Sequence, residues 1–321
     1  MHKINYLDGY ALAYPTLKQL RYLIALERHL HFGHAAQSCH VSQSAFSLAI
    51  KDLESLLKVS LVDRTSRSTV FTSLGSSIAS QARLALFDVE ALMDISRNFQ
   101  EVLSGTLKVG IIPTVAPFLL PHILKDIHAQ FPKLDLYIKE GKTDIIHSSL
   151  LDGELDLLIL ALPMELNNVE ILPLFKDRFY LDYHQETRFI TPHNFDIDHL
   201  NEQHVLLLED GHCLRNHVIS TCNIAQKNPT QRYSASDLYS LVKMVDGDLG
   251  ISFIPELAVD SGILQGTAIK TQRLADSAHR DIVLAWRKSS SRQQEFNLLA
   301  KSITASVTEL CCNIQSTYKP S

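Results

Sequence analysis

Between Thr72 and Leu103 there is no proline and only one glycine, Gly75, while Ile78, Ala82, Ala85, Leu86, Val89, Leu92, Met93 and Phe99 keep an apolar stripe at helical spacing. This pattern predicts a single helix, roughly 45 Å long for about 30 residues. Such a rod divides the chain, and its own flanking sequence is too short to bury the whole stripe. A partner chain is the natural cover, so a homo-oligomer joined along this helix is expected. A chain of 321 residues, 45% hydrophobic, has ample material for more than one core.

Ahead of the rod, Leu17, Leu20, Tyr22, Leu23, Ile24 and Leu26 recur at helical spacing, with Thr16 positioned to cap the run. Gly33 interrupts, and His34 to His40 reads as a short second helix before Val41. Ser42 then caps a third helix over Gln43 to Leu57. Phe46, Ile50, Leu53 and Leu57 fall on one face of it, and Gln43, Ser44, Ser47 and Lys51 on another. An arm from Lys58 to Phe71 carries Arg64 and Arg67 into a β-like Thr69-Val70-Phe71-Thr72. Residues 1–75 hold eight Lys/Arg against five Asp/Glu, a surplus of three positive charges in a chain whose net charge is −5. Periodicity alone supports two readings equally: a helix-turn-helix with a wing whose arginines meet phosphates, or a three-helix bundle with a solvated polar face.

After Gly105 the pattern becomes α/β. Apolar strands at Leu107–Ile112, Leu134–Lys139, Leu155–Leu160 and Val205–Leu208 alternate with helical Phe118–Gln130 and Thr143–Leu151. Gly250–Pro255 and Asp281–Trp286 add further strands. Parallel sheets covered by helices are expected, with the strand at 281–286 returning to the sheet begun at 107. Two subdomains with a crevice between them follow, and open α/β sheets place their sites in such crevices.

No apolar run is long enough to span a bilayer and no signal-like segment opens the chain, which predicts a cytoplasmic protein without membrane association. Five cysteines are too few and odd in number for a secreted disulfide framework. Cys39 reads as a small buried hydrophobe, and Cys311 and Cys312 lie in a terminal helix or tail without an assigned role. Cys213 and Cys222 stand out. A helix running between them separates their Cα atoms by roughly 13 Å, whereas a disulfide needs about 4.4–6.8 Å. Bonding them would therefore remake local structure, which is the physics of a switch. Arg215, His212 and a helix start after Cys213 would favour its thiolate. Two unreactive, partly buried thiols are the competing reading.

The string His34-Ala35-Ala36, Val41-Ser42-Gln43-Ser44-Ala45-Phe46-Ser47, Ile50, Leu53-Glu54, Leu57, Leu61-Val62-Asp63-Arg64, Phe71-Thr72 and Gly75 resembles the N-terminal winged helix-turn-helix of LysR-type transcriptional regulators. Gly110–Pro117, Leu119–His122 and Leu208–Arg215 resemble the peroxide-sensing branch of that family. The resemblance implies an α/β protein: an N-terminal winged helix-turn-helix, a long linker helix and a periplasmic-binding-protein-like effector domain of two subdomains. Its bounds here are an extension at 1–15, the DNA-binding domain at 16–72, the linker at 73–105, the regulatory domain at 106–310 and a tail at 311–321. Subdomain I takes 106–175 and 268–310, and subdomain II takes 176–267.

The resemblance further implies a regulator of antioxidant genes, in the main an activator, working with promoter DNA and RNA polymerase as a homodimer or homotetramer. Hydrogen peroxide would attack Cys213, and Cys222 would resolve the resulting sulfenic acid to a disulfide. Thr114, Thr143, His212 and Arg280 would form the peroxide pocket. Gln43, Ser44, Ser47 and Lys51 would meet the groove, and Arg64 and Arg67 the phosphates. Glutaredoxin or thioredoxin would restore the dithiol. Two departures are visible: Asn216 replaces an acidic or other polar group, and Gly33-His34 replaces a more basic pair. A LysR-type regulator holding a small organic effector is the alternative. No catalytic constellation, nucleotide-binding glycine motif or Cys/His metal cluster stands out, so neither an enzyme nor a cofactor or metal is expected.

Overall fold

A computed structural model of the chain describes residues 14–64, 69–97, 103–192, 195, 197, 200, 204–221 and 233–317. Two units result, Met1–Phe99 and Gln100–Ser321. Of the residues singled out above, Arg67, Phe99 and Cys222 lie outside the described residues, as do the side chains of Arg64, Met93, Cys311 and Cys312.

The first unit contains α1 (Leu17–His29), α2 (Phe32–Ser38), α3 (Gln43–Leu57), β1 (Val62–Arg64), β2 (Thr69–Phe71) and α4 (Ser73–Arg97). Thr16 and Gln19 close a capping box on α1. The break between α1 and α2 falls at Leu30, which takes a left-handed φ of 47°, and not at Gly33 as expected. Gly33 lies inside α2 because the His31 imidazole caps that helix, Nδ1 accepting the N–H groups of Gly33 (3.1 Å) and His34 (3.3 Å). Ser42 caps α3 through the Ala45 N–H. Tyr22 stacks on Phe46 with ring centroids 4.8 Å apart. Glu54 of α3 accepts the Leu61 N–H at 2.8 Å, anchoring the β1–β2 wing to the helix.

The stripe of α4 divides in two. Ala79 and Ala82 are buried in one cluster with Leu23 and Leu26 of α1, so the first half is covered inside its own unit, contrary to the expectation that a partner must cover it. Leu92, farther along, is 66% exposed. At the start of α4, Thr72 Oγ1 accepts the Gly75 N–H and donates to the Ser60 carbonyl. A Cβ on Gly75 would stand 2.0 Å from the Leu61 carbonyl oxygen, which is why glycine occupies this close approach.

The second unit contains β3 (Gly105–Ile111), α5 (Ala116–Gln130), β4 (Leu134–Glu140), α6 (Thr143–Leu151), β5 (Leu157–Leu162) and β6 (Val169–His184). It continues with β7 (Leu207–Leu208), α7 (Cys213–Thr221), β8 (Ser234–Ala235), α8 (Leu238–Asp246), β9 (Ser252–Pro255) and α9 (Glu256–Asp260). β10 (Ile269–Arg273), β11 (His279–Arg287) and α10 (Gln293–Thr317) complete it. The main sheet has the order β10-β6-β11-β5-β3-β4, with β9 also on β6. Residues 157–161 of β5 are all buried, the continuous apolar run of a strand covered on both faces. Val109 and Ile111 of β3 face α5 and α10, while the intervening Gly110 lies against Ile146 of α6.

The expected parallel sheet is mixed: β3 pairs in parallel with β4 and β5, whereas β11 runs antiparallel to both β5 and β6. The return of the 281–286 segment to the first sheet is as expected. β6 was not anticipated. Its first ten residues bond β11, and its remainder bonds β9 and β10, so one strand serves both halves of the sheet.

Candidate functional site

In the first unit, Gln43, Ser44 and Lys51 are exposed and Ser47 is half-buried on the outer side of α3, opposite buried Phe46, Ile50 and Leu53. The polar face is thus available to a groove. Arg64 ends β1 in the wing, where it pairs with Thr69.

In the second unit, the candidate residues lie in the chain connections after β3, β4, β5 and β7 and near the start of β11. Cys213 is the first residue of α7, is free and is half-buried. His212, immediately before it, is buried, and burial first and the Lys142 ammonium second hold its imidazole below the usual range. Gly211, at φ 90°, brings this turn against Lys142, whose Nζ donates to the Asp210 carbonyl at 3.0 Å. Thr143 begins α6 next to Lys142, and its hydroxyl is buried with no hydrogen-bond partner among the described residues.

Arg280 is fully buried on β11. Its Nε donates to Asp177 Oδ2 at 2.9 Å and its Nη2 meets the same oxygen at 2.8 Å. Nη1 donates to Thr114 Oγ1 at 2.8 Å and Nη2 to the Thr114 carbonyl at 3.0 Å. Asp177 also accepts the Leu257 N–H at 2.9 Å. Burial pushes the Asp177 carboxyl up and the Arg280 charge opposes that push. Arg280 and Thr114 are therefore joined directly.

One turn after Cys213, on the same face of α7, His217 is buried, its Nε2 lying 2.9 Å from the Pro163 carbonyl. Burial above all, with the Arg280 charge assisting against the Pro163 bond, pushes this imidazole down to about 4.

Two expectations about charge change. Arg215 is engaged by Asp210, Nε to Oδ1 at 2.9 Å, and donates to the Leu208 carbonyl, so it braces the turn before α7. Burial first and the Lys142 ammonium second disfavour a proton on His212, which weakens its part as a cation beside Cys213. Of the cations in the region, Arg215 is paired with Asp210, Arg280 is paired with Asp177, and Lys142 donates to the Asp210 carbonyl. Asp177, Lys142, Pro163 and His217 were not singled out in the sequence; only His217, four residues after Cys213, carried a usable spacing signal. Asn216 is exposed.

Among the described residues no group of His, Cys, Asp and Glu side chains is arranged to hold a metal ion, and no helix is long and apolar enough to cross a membrane. What these residues offer is a free, half-buried thiol at a helix start, with a buried imidazole on each side of it in sequence, at His212 and His217.

The sequence matches the family described as bacterial regulatory helix-turn-helix protein, lysR family, over residues 17–76, and the LysR substrate binding domain over residues 100–307. It is 36% identical to the HTH-type transcriptional regulator EstR of Acinetobacter baylyi over 300 residues, covering 92% of this chain and 99% of that protein. It is 36% identical to the DNA-binding transcriptional dual regulator OxyR of Escherichia coli over 290 residues, covering 90% and 95%. The fold superposes on a full-length OxyR variant from Pseudomonas aeruginosa with a TM-score of 0.74 and 34% identity, covering 91% and 95%.

Proposed function

The chain belongs to the LysR family of bacterial transcriptional regulators, and from that membership we propose that it senses hydrogen peroxide by reversible oxidation of Cys213. It is a DNA-binding regulator and not an enzyme. Its promoter contacts are Gln43, Ser44, Ser47 and Lys51 in the groove, with Arg64 and Arg67 on phosphates. RNA polymerase is its transcriptional partner, the part of α4 around exposed Leu92 joins two chains, and glutaredoxin or thioredoxin returns the oxidised form to the dithiol.

The observation that carries the peroxide reading is a free, half-buried cysteine at the head of α7; the reading assigns to its pocket the buried Arg280–Thr114 pair and the unpartnered hydroxyl of Thr143. In the proposed chemistry the Cys213 thiolate attacks one peroxide oxygen, the O–O bond breaks, and the second oxygen leaves as hydroxide and is protonated to water. The Cys222 thiol then attacks the sulfenic sulfur, forming the S–S bond and releasing a second water. Two thiols lose two electrons and one peroxide is reduced. A donor near the departing oxygen stabilises its developing charge, the part assigned to Arg280 and the threonines.

Thiol mapping by mass spectrometry after a brief, near-stoichiometric peroxide pulse tests this on the parent, Cys213→Ser and Cys222→Ser proteins. The expected products are a Cys213–Cys222 disulfide in the parent and a sulfenic acid at Cys213 in Cys222→Ser. If both thiols stay reduced while Cys39, Cys311 or Cys312 react, the peroxide reading fails. A regulator holding a small organic effector is then the reading to pursue.

A further inference from the structure

We infer that the unprotonated Nδ1 of His217 is the hydrogen-bond acceptor that holds an O–H of hydrogen peroxide beside Cys213. This rests on the peroxide reading above and adds a residue that makes the site selective for a neutral ligand.

The tautomer follows from geometry. Nε2 of His217 lies 2.9 Å from the Pro163 carbonyl oxygen, which can only accept, so Nε2 carries the proton and Nδ1 presents a bare lone pair. That lone pair is buried with no partner among the described residues. A buried acceptor left empty by the protein is costly unless something small and polar fills it. The position fits Cys213: His217 lies four residues on in the same helix, and side chains on a helix lean toward its N-terminus.

The remaining groups supply donors. Arg280 has five N–H bonds, of which Asp177 and Thr114 take four, leaving one on Nη1 without a protein partner among the described residues. Thr114 Oγ1 already accepts from Arg280, which turns its hydroxyl proton outward. The Thr143 hydroxyl is unpartnered. Donors alone suit a ligand that only accepts. Hydrogen peroxide is neutral and has two O–H bonds to place, so a buried neutral acceptor is what such a site needs to prefer it.

The test uses the full chain carrying Cys222→Ser, so that the first oxidation is read alone. Sulfenic acid formation at Cys213 is timed at several peroxide concentrations in the parent, His217→Leu and His217→Gln, alongside alkylation of Cys213 by iodoacetamide. His217→Leu is expected to slow oxidation about 10- to 100-fold, the effect of losing one buried hydrogen bond to the ligand, with alkylation unchanged. His217→Gln, whose amide can donate to Pro163 and accept through its oxygen, is expected to recover most of the loss. Oxidation of the Leu variant at the parental rate overturns the inference. So does an equal fall in oxidation and alkylation, which is what mere disruption of α7 would give. A parent that forms no sulfenic acid removes the peroxide reading and this inference together, whereas the first two outcomes leave that reading standing.

Discussion

Asp177 and Arg280 face each other across β6 and β11, 103 positions apart in the chain, as a cross-strand ion pair buried from solvent. The pair stands where β6 leaves β11 and begins to bond β9, so it fastens the two halves of the sheet and fixes a guanidinium at the site. Removing one partner leaves the other charge buried. Asp177→Ala is expected to cost about 3–5 kcal/mol in urea unfolding of the full chain. Asp177→Asn should cost less, since the amide oxygen can still accept from Leu257. Unfolding of the Ala variant at the parental midpoint would show that the pair contributes little.

Asp182 makes the opposite prediction. Its carboxyl is fully buried on β6, neither oxygen has a partner among the described residues, and burial raises its pKa well above the ordinary range. The folded state then binds the proton more tightly than the unfolded one. Stability contributed by that proton is present below the unfolded value of about 3.9 and is lost as pH rises toward the folded value. Asp182→Asn does not titrate and should be more stable than the parent at pH 8, with the advantage shrinking toward pH 4. Paired urea melts at the two ends of that range are the measurement, and a constant difference between the proteins would contradict it.

His217 works in the acid direction. With its folded pKa at about 4 and its unfolded value near 6.5, the unfolded state takes the proton first as pH falls. Stability is lost between those two values, by about 3 kcal/mol at most for this group. The His217→Gln protein should show a shallower decline across that window in thermal melts. Parallel curves for the two proteins would mean that the imidazole is solvated.

On DNA, Gln43 and Arg64 should separate by their kind of contact. Gln43→Ala is expected to relax preference at one or two base positions, by about 1–3 kcal/mol. Arg64→Ala should weaken all sequences alike and flatten the salt dependence by about one unit of log–log slope. Titrations on fragments selected by the parent from a random pool, at several salt concentrations, distinguish the two. A Gln43 variant that binds every fragment equally more weakly would move that side chain from base edge to backbone.

Local features were legible because their causes are local. Ser42 and the spacing of Phe46, Ile50 and Leu53 define α3 at its observed bounds, Gln43–Leu57, and Thr143–Leu151 likewise stands as read. Helix α2 begins earlier than expected because an imidazole cap on Gly33 and His34 has no strong propensity signature. β6 escaped notice because Pro173, Lys176, Asp177 and Arg178 interrupt its apolar alternation. The charges of Asp177 and Arg178 make sense only beside partners on other elements, Arg280 of β11 and Glu256 of α9. The antiparallel course of β11 is equally a matter of which edges meet. Within the site, the resemblance named Thr114 and Arg280, but pairings across long stretches of chain, such as Arg280 with Asp177 or Lys142 with the Asp210 carbonyl, leave no spacing to read.

The Leu61 carbonyl fills the volume that a side chain on Gly75 would need, and Thr72 is bonded to both segments. The wing and the start of α4 are therefore one solid corner with no swivel between them. Two chains joined along α4 would hold their wings like the arms of a caliper. A small roll of one rod against the other would reappear, enlarged by the length of the lever, as a change in the stretch of duplex the two wings can grip together.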